Sequence, residues 1–179
     1  MTARTVPTLP TFNTLSVATS AQLGQLVAWN QFWANPPMFR MYQTAGQIVA
    51  SGGANLQVTF DTSDYDTDGG RGLTSPWAYT IPVGMSGRWR FNWSLAWPSN
   101  ATGSRAEILY KNGTRIAGDG EVATDNDVMQ TPASMTILCA AGDVMSVYTW
   151  QNSGSSLTLA VGANNLSYFE GKLESLANP

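Results

Sequence analysis

The clearest run of alternating character in this chain lies between Arg88 and Trp97. Trp89, Phe91, Trp93, Leu95 and Trp97 fall on one side, and Arg88, Arg90, Asn92, Ser94 and Ala96 on the other. This is the period-two pattern of a strand with one dry and one wet face. Five large apolar side chains in a row gain about 1.5–3 kcal/mol each only if a second layer excludes water from them. The pattern therefore predicts two antiparallel sheets packed face to face, with this strand near the centre. The preceding segment, with Pro82, Gly84 and Gly87, reads as the corner that leads into it.

Further strand-like runs occupy residues 38–49, 56–60, 77–81, 106–111, 114–117, 133–138, 144–151, 156–161 and 166–173, separated by loops rich in Gly, Ser, Asn and Asp. Asn112 followed by Gly113, between two such runs, is the strongest hairpin signal. Many short strands with no helix between them predict an all-β sandwich or jelly roll. The run 144–151 is apolar on both faces, with Met145 and Val147 pointing one way and Val144, Tyr148 and Trp150 the other. A strand covered on both sides implies a neighbour, and a symmetric oligomer is the simplest one.

Ahead of the strands the pattern differs. Residues 1–17, with Pro7 and Pro10, lack periodicity and read as an extended arm that is ordered only against another surface. Leu23, Leu26, Val27, Asn30 and Trp33 then recur at helical spacing, with Thr19 or Ser20 as the cap and Pro36 and Pro37 as the stop. A helix this short is marginal alone. Its seam fits two arrangements: docking on a protein surface, or a short helical bundle in which Asn30 sets the register. The chain thus divides into an arm and helix (1–37), a sandwich domain (38–176) and a short tail (177–179).

Composition narrows the functions. Among 179 residues only 12% are charged, Lys plus Arg total 9 and the net charge is −3, so no basic stripe exists to neutralise a phosphate backbone. The absence of histidine removes the commonest general base and metal ligand. The single Cys139 excludes an internal disulfide and reads as buried filler. No stretch approaches a membrane span and the opening residues lack a signal-peptide core, so a soluble protein made in a cytoplasm is expected.

Two polar features could carry chemistry. Asp64, Asp66, Asp68 and Gly69 reproduce the first half of a calcium-loop pattern, in which alternate carboxylates converge on a hard cation. Ser75 occupies the place of the bidentate Glu, and the alternative is a solvated acidic turn. Trp77, Trp97 and Trp150 could stack on sugar rings beside the Asn- and Asp-bearing loops 98–104 and 118–127, the alternative being that Trp150 is core or interface. Glu107, Glu121, Glu170 and Glu174 form no pattern of paired acid and base, so no enzymatic activity is expected.

Several landmarks occur in a set order: Val58, Thr59, Phe60, then Tyr65 and Asp66; Tyr79 to Pro82; Gly87 to Phe91; Leu109 to Gly113; Ala141 to Val144; and Tyr168 to Leu173. In this order the chain resembles the jelly roll shared by the globular head of the complement recognition protein and tumour necrosis factor. The resemblance implies a tight homotrimer with aromatic residues of the inner sheet meeting at the axis, here Val144, Tyr148, Trp150 and Phe169. Unlike the complement proteins, the chain shows neither a collagen-like stalk nor a signal peptide.

The opening segment, Pro10 to Phe12, Leu15 to Leu23 and Phe32 to Pro37, resembles the start of small virion proteins of tailed bacteriophages of actinobacteria. That resemblance implies a protein of the virion, and the lack of an apolar span predicts no membrane insertion. Phe12, Leu23, Leu26, Trp29 and Trp33 would bind the arm and helix to tail or major capsid protein. The displayed jelly roll would serve as a minor tail or adhesion component, with a host-surface glycan as a further partner. Capsid decoration is the alternative, and a free lectin-like module is the alternative of another class.

Overall fold

The computed structural model describes residues 4–13, 17–72, 74–75, 77–123, 129–161 and 167–177. Among these residues one helix, α1 (Ser20–Ala34), precedes twelve strands: β1 (Met38–Tyr42), β2 (Ile48–Val49), β3 (Leu56–Gln57), β4 (Thr62–Asp66), β5 (Tyr79–Thr80), β6 (Gly87–Trp97), β7 (Ser104–Lys111), β8 (Thr114–Val122), β9 (Met129–Cys139), β10 (Val144–Gln151), β11 (Leu157–Thr158) and β12 (Tyr168–Leu176). One sheet runs β4-β1-β12-β6-β9. The facing sheet runs β3-β10-β7-β8 with β5 also on β10, and β2 and β11 form a separate ladder. The paired strands are antiparallel.

The predicted dry face of β6 is the centre of the core. Trp89, Phe91, Trp93, Leu95 and Trp97 are fully buried, while Arg88 and Arg90 lie in solvent. Facing them across the sandwich are Leu109, Met145 and Val147. The wet face was expected to continue to Ala96, yet Ser94 and Ala96 are buried too. The chain around Ala160 and Ser167 crosses there: Ala160 N donates to Ala96 O at 2.7 Å, and Ala96 N donates to Ser167 Oγ at 3.1 Å.

Aromatic packing at the β1-β12-β6 junction depends on one glycine. Phe39 stacks on Tyr79 with ring centroids 3.7 Å apart and meets Phe169 edge-on at 5.0 Å. Gly171 lies between Phe39 and Phe91, and a Cβ there would stand 2.5 Å from one ring and 2.8 Å from the other. The Asn112–Gly113 hairpin joins β7 to β8 with φ of 51° and 75°, as its sequence predicts.

Two local expectations are corrected. Residues 38–49 do not form one strand: the chain turns after Tyr42, where the Asp61 carboxylate accepts from Thr44 N at 2.9 Å and Ala45 N at 3.1 Å, and β2 joins a different ladder. The acidic stretch after Asp61 is not wholly a loop. Thr62–Asp66 is β4, an edge strand paired only with β1 among the described residues. Its polar composition hides it, and charged side chains on an edge discourage further pairing.

Candidate functional site

Three surfaces hold the residues singled out by sequence. The first is the arm and helix. Thr19 caps α1 in a reciprocal box, with Gln22 N donating to Thr19 Oγ1 at 3.3 Å and Thr19 N to Gln22 Oε1 at 2.8 Å. The helix docks on its own jelly roll through Phe32, which is buried, and Trp33, which packs on the core and meets the Phe32 ring at 5.2 Å. Trp29 and Trp33 wall an apolar cavity of about 800 Å³ together with Val6, Leu9 and Leu176.

The anchoring set predicted from sequence is therefore divided. Trp33 is engaged with its own domain, Trp29 faces the cavity and Leu26 is half-buried, whereas Phe12 and Leu23 are exposed. The proposed seam of Leu23, Leu26, Asn30 and Trp33 is not one open line. Val27, read from sequence as part of the helical pattern, is exposed as well, as are Leu9 and Val17, which sequence did not single out, Val17 at 92%.

The second surface is the acidic turn. Asp68 is buried, and Arg4 reaches it from the arm: Nε to Oδ1 at 3.0 Å, Nη2 to Oδ2 at 2.8 Å, and the Arg4 amide to Oδ1 at 3.1 Å. Arg4 also donates to Asn35 O at 2.7 Å and lies over the Phe32 ring. Burial pushes the Asp68 carboxyl upward, but hydrogen bonds from Arg4 and Thr67 and the Arg4 charge outweigh it and hold the group below the usual carboxylate range.

Asp66 accepts from the backbone amides of Asp68, Gly69, Gly70 and Arg71, with the Gly69 bond at 2.8 Å. Asp64 lies 3.4 Å from Arg40. The three carboxylates proposed for calcium thus have three separate partners. Among the described residues, no group of three acidic, histidine or cysteine side chains gathers in an arrangement that could hold a metal ion. Nor is the turn simply solvated, because Asp68 is one of the most enclosed carboxylates in the molecule. Arg4 was missed by sequence reasoning; its only signal was being the sole cation of the arm.

The third comprises the outward faces of the two sheets. Val144, Tyr148 and Trp150 lie half-buried on the outer side of β10, but Phe169 is 0% exposed and packs inward against Phe39, Phe60 and Phe91. Its assignment to a subunit interface is corrected: a ring with no exposed area has nothing to offer a partner. β10 and β12 also belong to opposite sheets, so the four residues share no surface.

The outward aromatic of β12 is the neighbour, Tyr168, because successive strand side chains alternate. It sits beside Arg40, whose guanidinium lies 4.7 Å from its ring centroid. Burial, then the Glu170 carboxylate, push its phenol up and keep it neutral. On the same sheet face, Tyr42 is half-buried, Tyr65 is exposed, and Arg90 pairs with Glu174 at 2.9 Å.

Of the three tryptophans considered for sugar stacking, Trp97 is fully buried beneath Arg105, while Trp77 and Trp150 keep part of their surface. Residues 124–127 of the second candidate loop lie outside the described residues, and its start, Gly118–Val122, belongs to β8. Cys139 is buried, which pushes its thiol up to about 11, in keeping with its reading as filler. No described helix is long and apolar enough to cross a membrane.

No protein-family model and no curated protein sequence matches the chain. Solved structures do match in shape. The globular domain of zebrafish complement 1qA protein aligns with 79% of this chain and 100% of its own length, at 12% identity and a TM-score of 0.56. Eiger TNF from S. frugiperda aligns over 80% of this chain and 97% of its own, at 9% identity and a TM-score of 0.60. Murine APRIL aligns over 76% and 98%, at 8% identity and a TM-score of 0.58. The chain is an all-β jelly roll with the architecture of the complement head and tumour necrosis factor.

Proposed function

We propose that this protein is a non-enzymatic structural component of a tailed-bacteriophage particle, a homotrimer attached by its arm and helix and displaying the jelly roll outward as a minor tail or host-adhesion protein. The observation that carries this reading is a set of apolar side chains left in solvent after the arm has docked on its own domain. Leu9, Phe12, Val17, Leu23 and Val27 are all exposed on one N-terminal unit, beside the apolar cavity walled by Trp29 and Trp33. Apolar side chains concentrated in this way mark a binding surface. The likeness of the opening residues to small virion proteins supports a tail or major capsid protein as the partner.

The trimer reading draws on the fold and on the face around Tyr168. Tyr42, Tyr65 and Tyr168, with Arg40 and Arg90 already balanced by Asp64, Glu170 and Glu174, have the aromatic and arginine content of a subunit interface. With that face turned to the axis, the β3-β10-β7-β8 sheet looks outward, where a host-surface ligand is met. The reading requires no metal cofactor, nucleic acid or membrane insertion.

The test is immunogold electron microscopy of purified particles with antibody raised against the full chain. Label on the tail is the expected result. Label over the head would assign capsid decoration instead, and unlabelled particles with an empty blot would overturn the virion reading in favour of a free lectin-like module.

A further inference from the structure

The outward face of the β3-β10-β7-β8 sheet carries a depression of about 400 Å³ bounded by Trp150, Ala106, Ile108, Arg115 and Asn55. Register places its parts. Trp150 of β10 stands opposite Ala106 of β7, which stands opposite Gly120 of β8; Tyr148 opposes Ile108, which opposes Gly118. The floor beside the indole is therefore built from side chains of one carbon or none, flanked by Ile108.

The two glycines leave little room for a side chain beside the depression. A Cβ at Gly118 would stand 3.0 Å from Ile108 Cγ2 and 3.1 Å from Arg115 Nη2, and one at Gly120 would stand 3.3 Å from Arg105 O. Glycine within a strand marks a place where something approaches the backbone closely. The Arg115 guanidinium reaches across this track, is exposed, and has no ion-pair partner among the described residues. At the rim, Asn55 Nδ2 donates to the Tyr110 hydroxyl at 2.9 Å, and the Tyr110 ring packs tilted against Tyr148 with centroids 4.2 Å apart. That bond orients the carboxamide, whose carbonyl oxygen is a hydrogen-bond acceptor.

A flat aromatic wall, a floor of small side chains, one planar cation without an ion pair among the described residues and one oriented amide suit a particular class of ligand. We propose that this depression binds an acidic saccharide, a pyranose bearing a carboxylate. The sugar ring lies against Trp150 over Ala106 and Gly120, its carboxylate meets the Arg115 fork, and a ring hydroxyl donates to Asn55. Guanidinium matches a carboxylate with two parallel bonds, which selects a uronate over a neutral sugar. The indole supplies apolar contact to the ring's C–H face. The inference requires this face to be free of subunit contacts, as it is in the proposed trimer, and is independent of the particle assignment.

The experiment uses the purified full chain with oligogalacturonate and glucuronate-containing oligosaccharides. Neutral galactan oligosaccharides serve as controls, with binding read by calorimetry and saturation-transfer NMR. Binding to the uronates is expected, with galactan about tenfold weaker or worse. Arg115→Gln should weaken uronate binding about tenfold while leaving galactan binding unchanged, and Arg115→Lys should recover only part of it. Trp150→Ala and the floor-filling Ala106→Leu should abolish binding.

Thermal melting and sedimentation of each variant separate a lost site from a lost fold or a lost trimer, and Arg115, being exposed, keeps the test open if Trp150→Ala unfolds. Wild-type protein that binds no uronate would overturn the proposal. So would equal affinity for galactan, or a folded Arg115→Gln that binds as the wild type does. A monomeric wild type that still binds uronate would sink the trimer reading and leave the site standing.

Discussion

Arg4 and Asp68 are joined by two parallel contacts, 3.0 Å and 2.8 Å long, across 64 positions of sequence. The carboxylate is enclosed and the guanidinium about one-third exposed, so this pair ties the N-terminal arm to the jelly roll at a point where water reaches only one partner. Removing the Arg4 side chain leaves the Asp68 carboxylate buried without its counter-charge, held only by the Thr67 hydroxyl and the residue-4 backbone amide. Arg4→Ala should therefore destabilise the folded chain by about 1–3 kcal/mol, measured by urea denaturation. The arm should also become susceptible to limited proteolysis near residues 5–13.

The same pair gives a pH dependence of definite sign. The folded-state carboxyl of Asp68 lies below its unfolded value, so its contribution is fully present above about pH 4 and lost as pH falls through the folded value. The melting-temperature gap between the wild type and Arg4→Ala should be constant from neutral pH down to about pH 5 and shrink below about pH 4. A gap that persists unchanged into strong acid would show that the ion pair does not hold the arm.

Tyr168 and Phe169 are adjacent in sequence and opposite in role. Phe169→Ala removes a fully buried ring and should cost about 3–5 kcal/mol, visible as a large fall in melting temperature. Tyr168→Asp should leave the fold intact and convert the trimer to monomers in analytical ultracentrifugation. Monomeric wild-type protein at high concentration would count against the Tyr168 face as an interface.

Gly171 has no room for a methyl group between Phe39 and Phe91. Gly171→Ala should destabilise by about 1–3 kcal/mol through overpacking. Near-ultraviolet circular dichroism should report the disturbed aromatic cluster.

Phe12 and Leu23 are exposed and remote from the core. The pair of substitutions Phe12→Ser and Leu23→Ser should leave melting within about 0.5 kcal/mol of wild type. Particles grown with the doubly substituted protein should contain far less of it on a blot. Normal incorporation would remove the anchoring role from this surface.

Asp66 accepts four backbone amides and Asp68 is bound by Arg4, so a cation would have to displace these bonds before binding. Millimolar calcium should leave the melting temperature unchanged. A calcium-dependent rise abolished by Asp66→Asn would reinstate a metal site at this turn.

The sequence by itself determined the sandwich class, the centre of the core and the hairpin. Five aromatic and aliphatic side chains at period two fix a strand and the face that it turns to the core, and Asn112 with Gly113 meets the left-handed backbone of the tightest hairpin turn. It also determined that Tyr168 and Phe169 face opposite ways, since alternation is local. Which of the two faces inward depends on the register of β12 against β1 and β6, a register in which Gly171 fits between the rings of Phe39 and Phe91. Only the tertiary structure decided that Arg4 meets Asp68, because an ion pair leaves no periodic trace when its partners lie far apart in the chain. Likewise, Trp150, Ala106, Arg115 and Asn55 come from separate segments, and sheet register, absent from any one segment, brings them to a single depression.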